Sequence, residues 1–113
     1  MAQPMAKEDP MYLLLVHGRI EEFNRRKQEG EACDLRGVDL RGANLRNLEA
    51  EGLDMRDSYL RHADLRGVDF SATRLEGASI YGARISGTYF PVELSAEEIN
   101  LSLVHGTRMR YRP

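Results

Sequence analysis

Several kinds of side chain are scarce in this chain of 113 residues, and each scarcity narrows what the protein can be. A single cysteine, Cys33, excludes an internal disulfide and a thiolate metal cluster. Neither sign of charge is in large excess: the formal net charge of −2 does not indicate a nucleic acid, a membrane or an acidic substrate as partner. The longest apolar run near the N-terminus, "YLLLV", is too short for a signal-peptide core or a membrane span, so we expect a cytoplasmic protein.

The residues that are present divide the chain into three segments. Residues 1–32 have a helical pattern, residues 33–92 repeat a five-residue word, and residues 93–113 combine a short helix with a basic tail. The length suits one modest domain with one cooperative core. We therefore expect one structural domain overall.

The N-terminal segment predicts a short helical hairpin. Asp9 before Pro10 is a favourable start for a helix, and Gly18 can end it. A second helical stretch follows, with Ile20 and Phe23 on one face and Gly30 just beyond its end.

The C-terminal segment predicts one more helix. Ser95 and Glu98 have the spacing of a capping box, and Gly106 is the expected stop. The sequence "TRMRYRP" after it is basic, and we expect it to fray.

Between these segments lie twelve five-residue words without an insertion: CDLRG VDLRG ANLRN LEAEG LDMRD SYLRH ADLRG VDFSA TRLEG ASIYG ARISG TYFPV. The third residue of each word is apolar, the first is small or medium and uncharged, and the fifth is often glycine. On an α-helix, a five-residue step rotates the face by about 140°, which would scatter the apolar residues. In a strand, an odd step sends alternate words to opposite faces. A coil that turns a corner after each word points every first and third residue inward, and glycine suits the corners.

These words closely resemble the pentapeptide-repeat family, whose motif is a small residue, Asp or Asn, Leu or Phe, and two variable residues. The resemblance implies an all-β solenoid: a three-coil, right-handed quadrilateral β-helix of twelve pentapeptide repeats over residues 33–92, with four words in each turn. Every twentieth residue would then be a stacking neighbour. "LEAEG" departs from the motif, with a large Leu48 first and a small Ala50 in the centre; we expect Leu48 to fill the space that Ala50 leaves.

Three coils at the spacing of β-strands give a column about 14 Å tall with two open ends. We interpret the N-terminal helical hairpin and the C-terminal helix as caps for these ends, as solenoids require. A homodimer through a solenoid end is an alternative cover.

The fourth residue of each word points outward, and in six of the first seven words it is arginine. These six residues form the candidate interaction surface: Arg36, Arg41, Arg46, Arg56, Arg61 and Arg66. The second residue of the word usually supplies an aspartate beside the arginine. Two interpretations stay open. A solvated ladder of Arg–Asp pairs is favoured, and the functional alternative is a surface for an acidic protein or a phosphate backbone.

Known members of the family include quinolone-resistance proteins that resemble a DNA duplex and bind the topoisomerase gyrase. Residues 33–92 hold nine acidic residues and eight arginines, a net charge of −1, whereas a duplex about 14 Å long carries roughly eight negative charges. This balance argues against DNA mimicry. Candidate tail contacts to nucleic acid or an acidic partner are Arg108, Arg110, Tyr111 and Arg112.

No pattern in the chain indicates catalysis, a cofactor or a metal. His17, His62 and His105 fall in three different segments without a paired spacing, and the glycines mark word corners rather than a phosphate-binding loop. Cys33 occupies an inward first position, where a small thiol usually serves packing.

The sequence therefore predicts a non-enzymatic protein whose rigid surface binds an unidentified protein partner. Two alternatives are a topoisomerase (DNA gyrase) modulator, by family analogy alone, and a direct nucleic-acid binder. The second would use the six stacked arginines of the candidate interaction surface, which we call the arginine ladders.

Overall fold

Turns recur every five residues through the middle of the chain, and this rhythm organises the fold. The computed structural model describes residues 8–113. Within them, α1 spans Pro10–Val16, α2 spans Ile20–Gln28 and α3 spans Ala96–His105. The repeat segment between α2 and α3 is made of two-residue turns alternating with isolated β-bridges.

The bridges give the size of one coil. All six are parallel and join residues twenty positions apart: Asp39–Tyr59, Asn44–Asp64, Asp54–Arg74, Tyr59–Ser79, Asp64–Arg84 and Asp69–Tyr89. Twenty residues with a turn after every fifth make a coil of four sides. The repeat segment is thus a β-helical solenoid, as the resemblance of its words to pentapeptide repeats implied.

The side chains of the first and third positions form the core. Ten of the twelve third-position side chains are buried: Leu35, Leu40, Leu45, Ala50, Met55, Leu60, Leu65, Phe70, Leu75 and Ile80. Leu48 is buried beside Ala50, so the irregular word "LEAEG" still directs its first and third residues inward. The rings of Phe70 and Phe90 stack between successive coils, with centroids 6.5 Å apart.

The corners depend on the left-handed backbone at the fifth position. Ten of the twelve fifth residues have a positive φ, and three of these are not glycine: Asn47, Asp57 and His62, with φ values of 70°, 60° and 58°. Asparagine, aspartate and histidine tolerate this conformation better than most side chains. The word therefore requires a conformation at its corner rather than glycine itself.

The N-terminal hairpin forms as predicted and covers the first coil. Asp9 caps α1 by accepting a hydrogen bond from the Met11 N–H at 2.8 Å. The Tyr12 hydroxyl donates to the Asp39 carbonyl at 2.6 Å, so α1 satisfies a backbone group of the first coil. From α2, the Asn24 amide donates to the Asn47 carbonyl and accepts from the Glu49 N–H, at 2.9 and 3.0 Å.

Helix α3 begins and ends where the sequence predicted. The Ser95 hydroxyl accepts from the Glu98 N–H at 3.1 Å, and Gly106 ends the helix with φ 77°. The reciprocal half of the capping box does not form in the structure. The Glu98 carboxylate accepts instead from the backbone and the guanidinium of Arg110, at 3.0 and 3.1 Å, because the tail returns alongside α3.

The prediction that the basic tail frays is wrong. Met109 is fully buried, and its carbonyl and N–H bond to Gly77 and Ala78 at 2.7 and 2.9 Å. Met109 thus anchors the tail against the last coil, and the Tyr111 hydroxyl adds a contact to the same coil.

At the C-terminal end of the solenoid, side-chain hydroxyls accept the backbone hydrogen bonds that a further coil would otherwise accept. In the second coil, the N–H groups of Met55 and Leu60 donate to carbonyls of the third coil. Twenty residues later, the Leu75 N–H donates to the Tyr111 hydroxyl at 2.9 Å and the Ile80 N–H to the Ser102 hydroxyl at 3.0 Å. The tail and α3 thus close two sides of the last coil.

Hydroxyl groups at the first position of a word differ in whether they find a partner. Thr73 donates to the Ala50 carbonyl at 2.7 Å, and Thr88 donates to the Leu65 carbonyl at 2.6 Å. Ser58 is fully buried, and its hydroxyl meets no hydrogen-bond partner within residues 8–113. A buried polar group without a partner destabilises the folded state.

We predict that Ser58→Ala raises the free energy of unfolding by about 1 kcal/mol, because it removes this unpaired hydroxyl from the core. Thr73→Val, its counterpart, should lower the same free energy by about 1 kcal/mol, since it removes the hydrogen bond from the Thr73 hydroxyl and leaves the Ala50 carbonyl with the Leu53 N–H alone. Urea denaturation of both variants beside the wild type measures the two changes. A loss of stability in Ser58→Ala would contradict this account of the hydroxyl.

Candidate interaction surface

Four of the six predicted arginines are paired with the aspartate two residues earlier in the same word. Each guanidinium meets its carboxylate through two nitrogens, and the shortest contacts in the Arg41, Arg56 and Arg66 pairs are 2.7, 2.6 and 2.7 Å. In the Arg36 pair, the contact from Nε is 3.1 Å. The pairing runs along the chain within one word.

The same aspartates also hold the turn. In each of these four words, the first carboxylate oxygen accepts the backbone N–H of the arginine, at 3.0 to 3.2 Å. Asn44 does the same for Arg46, and Asp69 does it for Ser71. The second position of the word therefore shapes the corner whether or not an arginine follows, which gives its aspartates a structural role.

Two of the six arginines depart from this arrangement. Arg46 follows Asn44 and makes no ion pair with a residue of the described chain. Arg61 follows Tyr59, and its guanidinium donates to the Ser79 hydroxyl and the Gly106 carbonyl at 3.3 and 3.2 Å. The six arginines thus comprise the four Arg–Asp pairs that the sequence predicted, one exposed arginine and one arginine engaged by the C-terminal cap.

The four candidate tail residues are all held by the fold. Arg108 lies 3.4 Å from an Asp57 oxygen, and Arg110 pairs with Glu98. The Tyr111 hydroxyl accepts from the last coil, and Arg112 donates to the Val92 carbonyl at 2.9 Å.

Comparison with known proteins agrees with the geometry of the coils. The family model described as pentapeptide repeats in eight copies matches residues 31–59 and 54–90, more than half of the chain. The chain belongs to the pentapeptide-repeat family. Neither the curated proteins nor the solved structures searched contain a match to it.

Beyond the arginines, this pentapeptide-repeat protein has a feature that the word pattern did not reveal. Within the part of the chain that the structure describes, α3 and the tail cover two sides of the last coil and leave the other two uncovered. In the second coil, the Leu65 and Phe70 N–H groups donate to the third coil; their counterparts on Ile85 and Phe90 donate to no atom of residues 8–113.

Apolar side chains are exposed along these uncovered sides. Tyr89 and Val92 are 66% and 79% exposed, and Ile85 and Phe90 are only partly buried. Leu101 and Val104, one turn apart on α3, are also exposed. We call residues Ile85–Val92 the open edge. A general signal for it existed in the sequence, since any solenoid end needs a cap, but which sides stay uncovered depends on where α3 and the tail pack.

The ion pairs determine how the surface responds to acid. Hydrogen bonds from Arg41 and Arg56 lower the pKa of Asp39 and Asp54. The hydrogen bond from Arg66, assisted by the backbone N–H and by the charge of Arg46 in the coil below, lowers the pKa of Asp64 to about 2. These three aspartates therefore stay ionised in moderately acidic solution.

The residues considered for catalysis or metal binding are not brought together. Within residues 8–113, no group of three or more His, Cys, Asp or Glu side chains is arranged to hold a metal ion. Cys33 is partly buried against the core, and burial is the main cause that raises the pKa of its thiol. None of the helices in this part of the chain is long and apolar enough to cross a bilayer.

We predict that the free energy of unfolding falls as the pH decreases from about 5 to about 2, partly through Asp64. Its folded-state pKa lies below the value of about 3.9 for an unfolded aspartate, so the unfolded chain binds more protons in this range. Asp64→Asn should make the decline shallower, and Arg66→Gln should do the same by removing the partner. Chemical denaturation at a series of pH values measures the free energy of unfolding of each variant. Curves parallel to that of the wild type would contradict the role of Asp64.

Proposed function

We propose that this pentapeptide-repeat protein is a non-enzymatic, rigid protein-interaction module, built on a right-handed, four-sided β-helix, whose protein partner docks on the open edge. The observation that carries the proposal is the set of backbone N–H groups at Ile85, Gly87 and Phe90 that have no partner within residues 8–113. Uncovered sheet edges are templates for pairing with another chain, and an extended segment can add a strand to them.

The side chains beside this edge suit a protein partner. Tyr89 and Val92 offer exposed apolar area next to these N–H groups. Backbone pairing would supply affinity, while pockets for alternate side chains would supply specificity. The stacked coils below give the edge a fixed shape, so a partner does not have to order it on binding.

One occupant that fits the edge is a second copy of the chain, which would make a homodimer through a solenoid end. Two identical edges can meet about a two-fold axis, where the same patch of both copies is buried. The oligomeric state of the protein in solution distinguishes this occupant from a different protein.

The arginine ladders are the weaker candidate for this role. Arg36, Arg41, Arg56 and Arg66 each have a carboxylate within the same word, so a partner would have to compete with a charge already in place. Binding of nucleic acid by these residues meets the same competition. A role as a topoisomerase modulator is supported by family membership alone.

We predict that Tyr89→Lys combined with Val92→Glu abolishes partner binding, since it puts charges into the apolar edge. Arg36→Gln combined with Arg66→Gln is the matched ladder variant and should retain binding. Tagged wild type and both variants would be used to capture proteins from lysate at low and moderately high salt, and sedimentation velocity would give the oligomeric state of each.

A partner or a second copy that persists at the higher salt and is lost only from the edge variant supports the proposal. Capture lost only from the ladder variant would overturn the choice of surface. A monomer that captures nothing would overturn the interaction role.

A further inference from the structure

A cavity of about 500 Å³ lies where the C-terminal tail crosses the second side of the solenoid. Its lining consists of two arginines with a tyrosine, two hydroxyl residues and the glycine that ends α3: Tyr59, Arg61, Ser79, Gly106, Thr107 and Arg108. Neither the family match nor the proposed function accounts for two guanidinium groups at one cavity.

Arg61 reaches the cavity because its word, "SYLRH", has tyrosine where the neighbouring words have aspartate. No carboxylate of residues 8–113 lies within ion-pair distance of its guanidinium, which donates only to neutral oxygens of Ser79 and Gly106. These hydrogen bonds orient the group without cancelling its charge. Arg61 therefore carries a full positive charge into a partly buried site.

The tail brings the second guanidinium to the same tyrosine. The guanidinium carbons of Arg61 and Arg108 lie 5.8 and 5.7 Å from the centre of the Tyr59 ring, and Arg61 is also 5.6 Å from the Tyr81 ring. Contacts with aromatic rings position cations but leave their formal charge in place. Arg108 also pairs with Asp57 at 3.4 Å, a contact whose carboxylate side is 59% exposed.

Gly106 gives the site its room. A Cβ atom there would lie 2.9 Å from an Arg61 nitrogen, and the residue also needs its φ of 77° to end α3. A side chain at this position would displace the Arg61 guanidinium and would strain the left-handed backbone, so glycine suits the turn of the tail over Arg61.

We infer that this cavity is an anion site that binds a dianionic phosphate group between Arg61 and Arg108, with the Thr107 hydroxyl as a further donor. Guanidinium groups match phosphate oxygens in forked geometry, and such charge-assisted hydrogen bonds are among the stronger ones. Two guanidiniums at one cavity favour a group with two negative charges over a single carboxylate. This site is separate from the open edge, so its test is independent of the proposed function.

The experiment is a titration of the ¹⁵N-labelled protein with inorganic phosphate at pH 7.5 and constant ionic strength, followed by NMR. We expect saturable shifts of the Arg61 and Arg108 Nε–H signals and of the Thr107 amide. Sulfate should bind comparably. Acetate at the same concentrations should bind at least about tenfold more weakly, because it carries one charge.

Four variants locate the site. Arg61→Gln and Arg108→Gln should each weaken phosphate binding by at least about tenfold. Arg46→Gln is the matched control, since Arg46 occupies the same word position without an ion pair but away from the cavity; it should bind as the wild type does. Asp57→Asn should tighten binding by about threefold, because it removes a carboxylate that competes with phosphate for Arg108.

Because Arg61 also contacts the cap, dispersed spectra of the unligated variants must first show that they fold. Arg108→Gln tests the site without changing a residue of the solenoid. Absence of saturation in the folded wild type would overturn the inference. So would equal weakening by Arg46→Gln and Arg61→Gln. Acetate binding as tight as phosphate would overturn the choice of a dianion.

Discussion

The hydrogen bonds between coils twenty residues apart are the constraint on which the rest of this structure depends. Each coil offers backbone donors and acceptors to the coil above and the coil below. Across the first interface, the Leu40 N–H donates to the Tyr59 carbonyl, and the Tyr59 N–H donates to the Val38 carbonyl. Because buried backbone groups need partners, the five-residue word must turn a corner on schedule and every interface must stay in register. In a solenoid of three coils, the structure then depends on how the backbone groups at its two ends find hydrogen-bond partners.

The two ends of the solenoid are covered by different kinds of contact. At the first coil, polar side chains of the hairpin reach the exposed backbone, with Tyr12 from α1 and Asn24 from α2. At the last coil, hydroxyl groups of Ser102 and Tyr111 take the positions that carbonyls of a further coil would hold. Among the described residues, only two sides are closed in this way, so the need for backbone partners explains both the cap and the open edge.

The anion site follows from the same closure. When the tail turns at Gly106 to reach the last coil, it carries Arg108 to the side of the solenoid where Arg61 stands without an aspartate. A single change in the word, tyrosine for aspartate at position 59, separates this arginine from the neutralised pairs. The surface chemistry is thus uneven because one word in the ladder differs and because the tail passes over it.

The sequence was sufficient for the features that local repetition determines. Inward first and third positions, turning fifth positions, the Asp9 cap and the Gly106 stop all depend on residues close together in the chain. It was not sufficient for the tail, where the burial of Met109 depends on a surface assembled from distant residues. The pairing of Glu98 with Arg110 and the position of Arg108 near Arg61 could not be predicted for the same reason, since both depend on where the tail packs.

Hydrogen–deuterium exchange resolved at single amides tests the central claim most directly, because it measures which backbone groups at the last coil have partners. In the monomeric protein, the amides of Ile80 and Gly82, which donate to Ser102 and Leu103, should exchange slowly. The amides of Ile85 and Phe90 should exchange much faster, although they lie in the same coil. Equal protection on all four sides, or fast exchange at Ile80 and Gly82, would contradict a solenoid that α3 and the tail close on two sides only.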